Sequence, residues 1–161
     1  MRTRASAQDD GKEYTNKNTH RTKFLNKNSA LHLASENGMV STVVKLLSLG
    51  ADAALLNKYG STSLWQACGA KQEAAAEELM EATKRAGVLD LKDTHYLFCC
   101  SALHLASKQG MVSTVRKLLA LGADGSLQDK DGQTPVNIAA NDEVKTVFAE
   151  FGHIFSAGVR E

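Results

Sequence analysis

The side chains in this chain that could do chemistry fall into three groups. Cys99 and Cys100 are adjacent and lie close to His95 and Tyr96, so a thiol with a lowered pKa and a partner base would make a nucleophilic or redox centre. No Cys–His–Asn arrangement supports such a centre, and the favoured reading is two small loop residues, one of them partly buried. His32 and His104 share the context Leu-His-Leu-Ala, but a metal needs several converging ligands and these two lie 72 residues apart. Glu77-Glu78 and Asp9-Asp10 lack a spacing that suggests acid–base catalysis, and solvated faces explain them. Glycine-rich phosphate loops and a Gly-Lys-Ser/Thr signature are absent. The expectation is no catalytic residue, no metal ligand and no cofactor.

Bulk properties narrow the classes further. The 161 residues suffice for one domain, and 43% apolar with 23% charged residues is ordinary for a folded soluble chain. A net charge of +1 makes no broad case for nucleic acid or a membrane surface, and no apolar run approaches a membrane span. Three cysteines (Cys68, Cys99, Cys100), odd in number and without metal-ligand spacing, point to a reducing intracellular compartment, cytoplasmic or nuclear. Residues 1–23 are polar and aperiodic, and carry six basic and three acidic residues. They are expected to be a disordered tail. Arg2, Arg4 and Ser6 resemble an organelle transit sequence only faintly. Lys12, Lys17, Arg21 and Lys23, like Lys84-Arg85, read more simply as solvated charge.

The elements that must position these residues come from a duplication. Ser29–Ala53 reads SALHLASENGMVSTVVKLLSLGADA, Ser101–Gly125 reads SALHLASKQGMVSTVRKLLALGADG, and 20 of the 25 positions are identical. Such self-similarity signals a repeat architecture in which each unit buries its apolar face against the next. Leu31, Leu64, Leu103 and Val136 mark four units spaced 33, 39 and 33 residues apart. The period, the Gly-x-Thr-Pro-Leu-His-like start, the Ala-Ser-x-x-Gly middle and the Leu-Leu-x-x-Gly-Ala-Asp end resemble the ankyrin repeat. The resemblance covers roughly residues 24–152, as units 24–56, 57–92, 93–128 and 129–152. Residues 153–161 are left as a C-terminal tail.

Within unit one, Ala30–Asn37 is expected to form a helix capped by Ser29 and ended by Gly38. Ser41–Leu49 forms a second helix with Val43, Leu46, Leu47 and Leu49 on its apolar side, closed by Gly50. Val44 becomes Arg116 in unit three, so that position faces solvent. Unit two departs from this pattern. Lys71 occupies the turn glycine's place, the closing glycine comes four residues late at Gly87, one residue is then lost, and three are gained before Ser101. These changes account for the six-residue excess and divide it between a longer outer helix and a longer finger at Thr94–Cys100. Unit four reads as a C-terminal cap with a final helix at Glu143–Phe151. The N-terminal side has no evident cap: either residues 13–25, with Tyr14, Phe24 and Leu25, cover it, or it is a contact surface.

The resemblance implies an all-α ankyrin-repeat solenoid of about four helix-turn-helix units with β-hairpin-like fingers. It also implies a protein-binding scaffold without catalysis, monomeric on its own, with another protein as partner. In the family the histidine of this motif is structural and hydrogen-bonds between neighbouring loops, which applies to His32 and His104. Matching positions place the binding groove at Glu36, Asn37, Lys58, Tyr59, Ser61, Trp65, Leu97, Phe98, Lys108, Gln109, Lys130, Asp131 and Gln133. Trp65 replaces the motif histidine and is either an interface anchor or a space-filler under the next finger. Two other readings stand beside the adaptor. One is a structural subunit using the N-terminal side or Phe148, Phe151, Ile154 and Phe155. The other is an enzyme using Cys99-Cys100.

Overall fold

Glycines and capping side chains at a fixed period punctuate the chain, and the helices fall between them. The computed structural model describes residues 27–94 and 99–157, the side chains of 153–157 excepted. The inner helices are α1 (Ala30–Glu36), α3 (Ser63–Gly69) and α5 (Ala102–Gln109). The outer helices are α2 (Val40–Ser48), α4 (Glu73–Arg85), α6 (Val112–Ala120) and α7 (Asp142–Ala157). Inner helices stack on inner helices and outer on outer, so each unit touches only its neighbours. A single apolar core runs the length of the stack through Leu31, Val43, Leu64, Leu79, Leu103, Val115, Leu118, Val144 and Val147.

Local chemistry sets the ends of the short helices. Ser29 Oγ accepts from the His32 amide while the His32 ring accepts from the Ser29 amide, so the first turn caps itself from both directions. Thr62 Oγ1 caps α3 in one direction only, accepting from Trp65 N at 3.2 Å, because an indole has no acceptor to return the bond. At the turn between inner and outer helix the chain is left-handed in all of the first three units. Gly38 and Gly110 carry φ of 65° and 71°, but unit two puts Lys71 there, at φ 57°. A lysine can occupy this region only at a cost, because its Cβ crowds the following carbonyl.

Each finger is closed at its base by an Asn or Asp. Asn57 N donates to Ser61 O, Asp93 N to Cys100 O and Asp129 N to Gln133 O, at 2.9–3.1 Å. The middle finger therefore closes seven residues on where the others close at four, and α4 has 13 residues where α2 and α6 have nine. The insertion is divided as the spacing predicts. The fingers are turns rather than strand pairs: no strand occurs among the described residues.

The ends of the stack differ from expectation in two places. Unit four has no inner helix, only a turn at residues 135–138, so it is not a full helix-turn-helix. Asn137 Oδ1 accepts from both Thr134 N and Thr134 Oγ1, the bond that His32 makes to Ser29, yet the chain makes only this one turn. The final helix α7 runs to Ala157, beyond the expected Phe151 and into the segment assigned as a tail. Gly152 is exposed and does not break it, since an isolated helix glycine costs only about 1 kcal/mol. The expected disordered tail at 1–23 lies outside the described residues.

Candidate functional site

The two histidines are clasps between units. His32 Nε2 lies 3.0 Å from the carbonyl of Ser61, and His104 Nε2 lies 3.1 Å from the carbonyl of Gln133. A carbonyl only accepts, so each Nε2 carries the proton and each Nδ1 is bare. Nδ1 faces the cap serine, at 2.7 Å from Ser29 Oγ and 2.9 Å from Ser101 Oγ. Burial holds both imidazoles below their usual pKa, against smaller opposing effects that include the carbonyl bonds. They remain neutral at pH 7 and join an inner helix to the next finger.

Unit two does this with tryptophan. Trp65 Nε1 donates to the Cys100 carbonyl at 3.0 Å, and Cys100 holds the register that Ser61 and Gln133 hold in the other fingers. The indole thus performs the motif histidine's bond across a finger that is three residues longer. Being larger, it also leaves part of its ring at the surface, where it is half-buried. That ring forms one wall of a cleft of about 370 Å³ on the concave side. Leu105, Gly69 and Ala70 supply its apolar floor, and Glu36, Lys108 and Gln109 stand at its rim. A second hollow shares Leu105 and Lys108 and continues toward the last finger past Ile138, Asp129, Lys130 and Asp131.

The expected groove residues separate into several groups. Glu36, Lys108, Lys130 and Asp131 are exposed along this path, and Lys130 pairs with Asp131 at 3.6 Å. Asn37 is exposed, and its Nδ2 donates to Leu33 O. Gln109 is half-buried, and its Nε2 donates to Gly69 O of the preceding unit at 3.1 Å. Lys58 is exposed with its ammonium 4.7 Å from the centroid of the half-buried Tyr59 ring, a cation–π contact. Gln133 has an exposed side chain while its backbone serves His104 and Asp129.

Ser61 is a correction. It is buried, 1% exposed, because its carbonyl is drawn under the finger by His32 and its amide by Asn57 Oδ1, so it cannot meet a partner. Leu97 and Phe98, like Ile154 and Phe155, lie outside the described residues or side chains. Sequence reasoning missed Gln66, Gly69, Ala70 and Leu105 of the cleft: it placed Leu33, the twin of Leu105, inward with the core, whereas both are half-buried.

The thiols of Cys68 and Cys100 are both buried and held in their protonated form. Burial pushes the Cys100 thiol up to about 11, with Asp93 nearby adding to the rise, and burial alone pushes Cys68 to about 12. All three cysteines are unbonded to one another. Among the described residues, no group of histidine, cysteine or carboxylate side chains could hold a metal ion, and no helix is long and apolar enough to cross a membrane.

The stacked helix pairs, with fingers clasped to them by ring nitrogens, define a helical-repeat solenoid. Family models agree: residues 26–58 match the ankyrin repeat, and residues 103–141 match the model described as ankyrin repeats (many copies). The chain is an ankyrin-repeat protein. It is similar to the transient receptor potential cation channel subfamily A member 1 homolog of Caenorhabditis elegans, 33% identical over 77% of this chain and 10% of that protein. It is also similar to the nuclear factor NF-kappa-B p105 subunit of Gallus gallus, 29% identical over 70% of this chain and 11% of that protein. A third relative is the B-cell lymphoma 3 protein of Homo sapiens, 33% identical over 66% of this chain and 23% of that protein. The chain therefore spans about a tenth to a quarter of these relatives' lengths. Ankyrin repeats are in general protein–protein interaction modules.

Proposed function

We propose that the chain is a non-enzymatic scaffold or adaptor that docks another protein in its concave groove and against its finger tips. The observation that supports this most is Trp65. The clasp needs only a ring N–H, which histidine supplies in units one and three, yet unit two uses the one side chain most enriched at interface hot spots. The surplus of the indole over an imidazole is surface along the cleft between Glu36 and Lys108. A groove already held by backbone and side-chain clasps loses little entropy on binding. The working compartment is intracellular, cytoplasmic or nuclear, which suits three cysteines without disulfide or metal-ligand spacing.

The discriminating variant is Trp65→His. It restores the repeat's own clasp to the next finger and removes the aromatic wall. Affinity capture from native lysate, read by mass spectrometry, should recover a specific partner with the wild type and lose it with Trp65→His, while both variants melt within a few degrees of each other. Trp65→Ala should lose the partner and also stability, since the Cys100 carbonyl loses one of its two donors and the finger its bond to α3. A partner retained by a folded Trp65→His chain places the binding surface elsewhere.

A further inference from the structure

The duplication supplies an internal control for what the N-terminal face of unit one requires. Units one and three are nearly identical and both have a following unit, but among the described residues only unit three has a preceding one. Positions buried in unit three and open in unit one are therefore those that unit two covers. Met111 is fully buried, whereas its twin Met39 is 51% exposed. Ala102, Thr114 and Leu118 are buried, while Ala30 is exposed and Thr42 and Leu46 are half-buried. Among the described residues, five of the six large exposed apolar side chains (Met39, Val44, Leu49, Leu55, Leu56) belong to unit one and the loop that leaves it. Met39 is the member of this set that its buried twin assigns to the open face; Val44 is exposed as its twin Arg116 is, with unit two in place.

The polar groups around this face say what fits it. In unit three, Ser113 Oγ donates to Glu73 Oε2 at 3.2 Å and Lys117 Nζ pairs with Glu77 Oε2 at 2.7 Å. Both carboxylates stand four residues apart on α4, flanking its buried stripe of Ala76, Leu79 and Met80. Unit one repeats the receiving side as Ser41 and Lys45, and neither has a carboxylate partner among the described residues. We propose that this face docks an amphipathic helix of another polypeptide, with an alanine–leucine stripe bordered by carboxylates at i and i+4 that meet Ser41 and Lys45. It is a surface separate from the concave groove and takes the partner that α4 models within this chain.

Two other occupants fit less well. Residues 1–26 carry six basic against three acidic residues, the wrong sign for Lys45, and their one acid pair at i and i+4, Asp9 and Glu13, encloses Asp10, Gly11 and Lys12 rather than an alanine–leucine stripe. A second copy offers α7 at its far end, whose apolar residues Val144, Val147 and Phe148 already pack on unit three while Lys145, Thr146 and Ala149 face out.

The test uses the full chain and a stapled helical peptide with the sequence of residues 72–87 as probe. Peroxide oxidation of Met39, followed by mass spectrometry, should slow several-fold as the peptide saturates the face. Lys45→Glu should weaken that protection about fivefold, the scale of one surface ion pair, and a peptide carrying Glu77→Lys should restore it. Three results would overturn the proposal. One is a Met39 that stays reactive at millimolar peptide in a chain folded by circular dichroism. Another is protection indifferent to Lys45→Glu. The third is a Met39 already protected in the chain alone, whether released by deleting residues 1–26 or by dilution that halves the mass in light scattering.

Discussion

At the scale of single residues, Lys71 shows the repeat's grammar under strain. Gly38 and Gly110 take the left-handed turn freely, while Lys71 takes it with a Cβ. Lys71 is exposed, and the bond from its backbone amide to Cys68 O is one that glycine keeps. Lys71→Gly should therefore stabilise the chain by about 1 kcal/mol in urea melts, the cost of a left-handed L-residue. The reverse change, Gly110→Lys, should destabilise by more than that. A Cβ at Gly110 meets Asn141 Nδ2 at 3.0 Å, so steric contact adds to the backbone strain. If Lys71→Gly leaves the midpoint unchanged, the lysine stem must gain as much from contacts in the folded state as the backbone loses.

At the scale of helices, twin positions separate sequence from context. Leu118 and Leu46 occupy the same place in α6 and α2, yet Leu118 is 1% exposed and Leu46 only half-buried. Leu118→Ala should cost about 2–5 kcal/mol through a core cavity. Leu46→Ala should cost about 1–2 kcal/mol, because part of its surface is already wet. Arg116→Ala should stay within about 1 kcal/mol, since its partner Glu150 is as exposed as it is. Equal losses at Leu118 and Leu46 would mean that something covers unit one in solution. This contrast also shows where the sequence was legible. Helix starts, glycine turns and the division of the six-residue insertion depend on local chemistry, so spacing alone located them. The open face of unit one, the buried side chain of Ser61 and the reduction of unit four's inner helix to a turn depend on which neighbour lies alongside. Asn137, in the histidine's place, keeps the bond within its own turn to Thr134. The indole N–H of Trp65 was likewise invisible as a clasp until Cys100 was seen to stand, in the longer finger, where Ser61 and Gln133 stand in theirs.

At the scale of the whole stack, the clasps divide the molecule into parts with different responses to acid. His32 joins unit one to unit two, Trp65 joins two to three, and His104 joins three to four. Both histidines have folded pKa values below the unfolded 6.5, chiefly because burial disfavours the imidazolium. Between the folded and unfolded values the unfolded chain binds more protons, so stability rises with pH there. Their contribution is complete above about 6.5 and is lost as pH falls from 6.5 through the folded values. Each histidine can contribute a slope of at most about 1.4 kcal/mol per pH unit. Protonation removes the bare Nδ1 that accepts from the serine cap and places a charge beneath the finger. The central clasp has no titrating group. Hydrogen exchange compared at pH 7 and pH 5 should therefore show amides of α1, of α5 and of the last finger exchanging faster in acid, while those of α3, whose clasp is Trp65, hold their protection. In a solenoid, where each unit is stabilised by its neighbours alone, such loosening starts at the ends and need not spread. Trp65→His should abolish the distinction, adding a third titrating clasp and steepening the fall in stability below pH 6.5 by about half. Uniform acceleration across all units in the wild type would show instead that the four repeats open as one cooperative block.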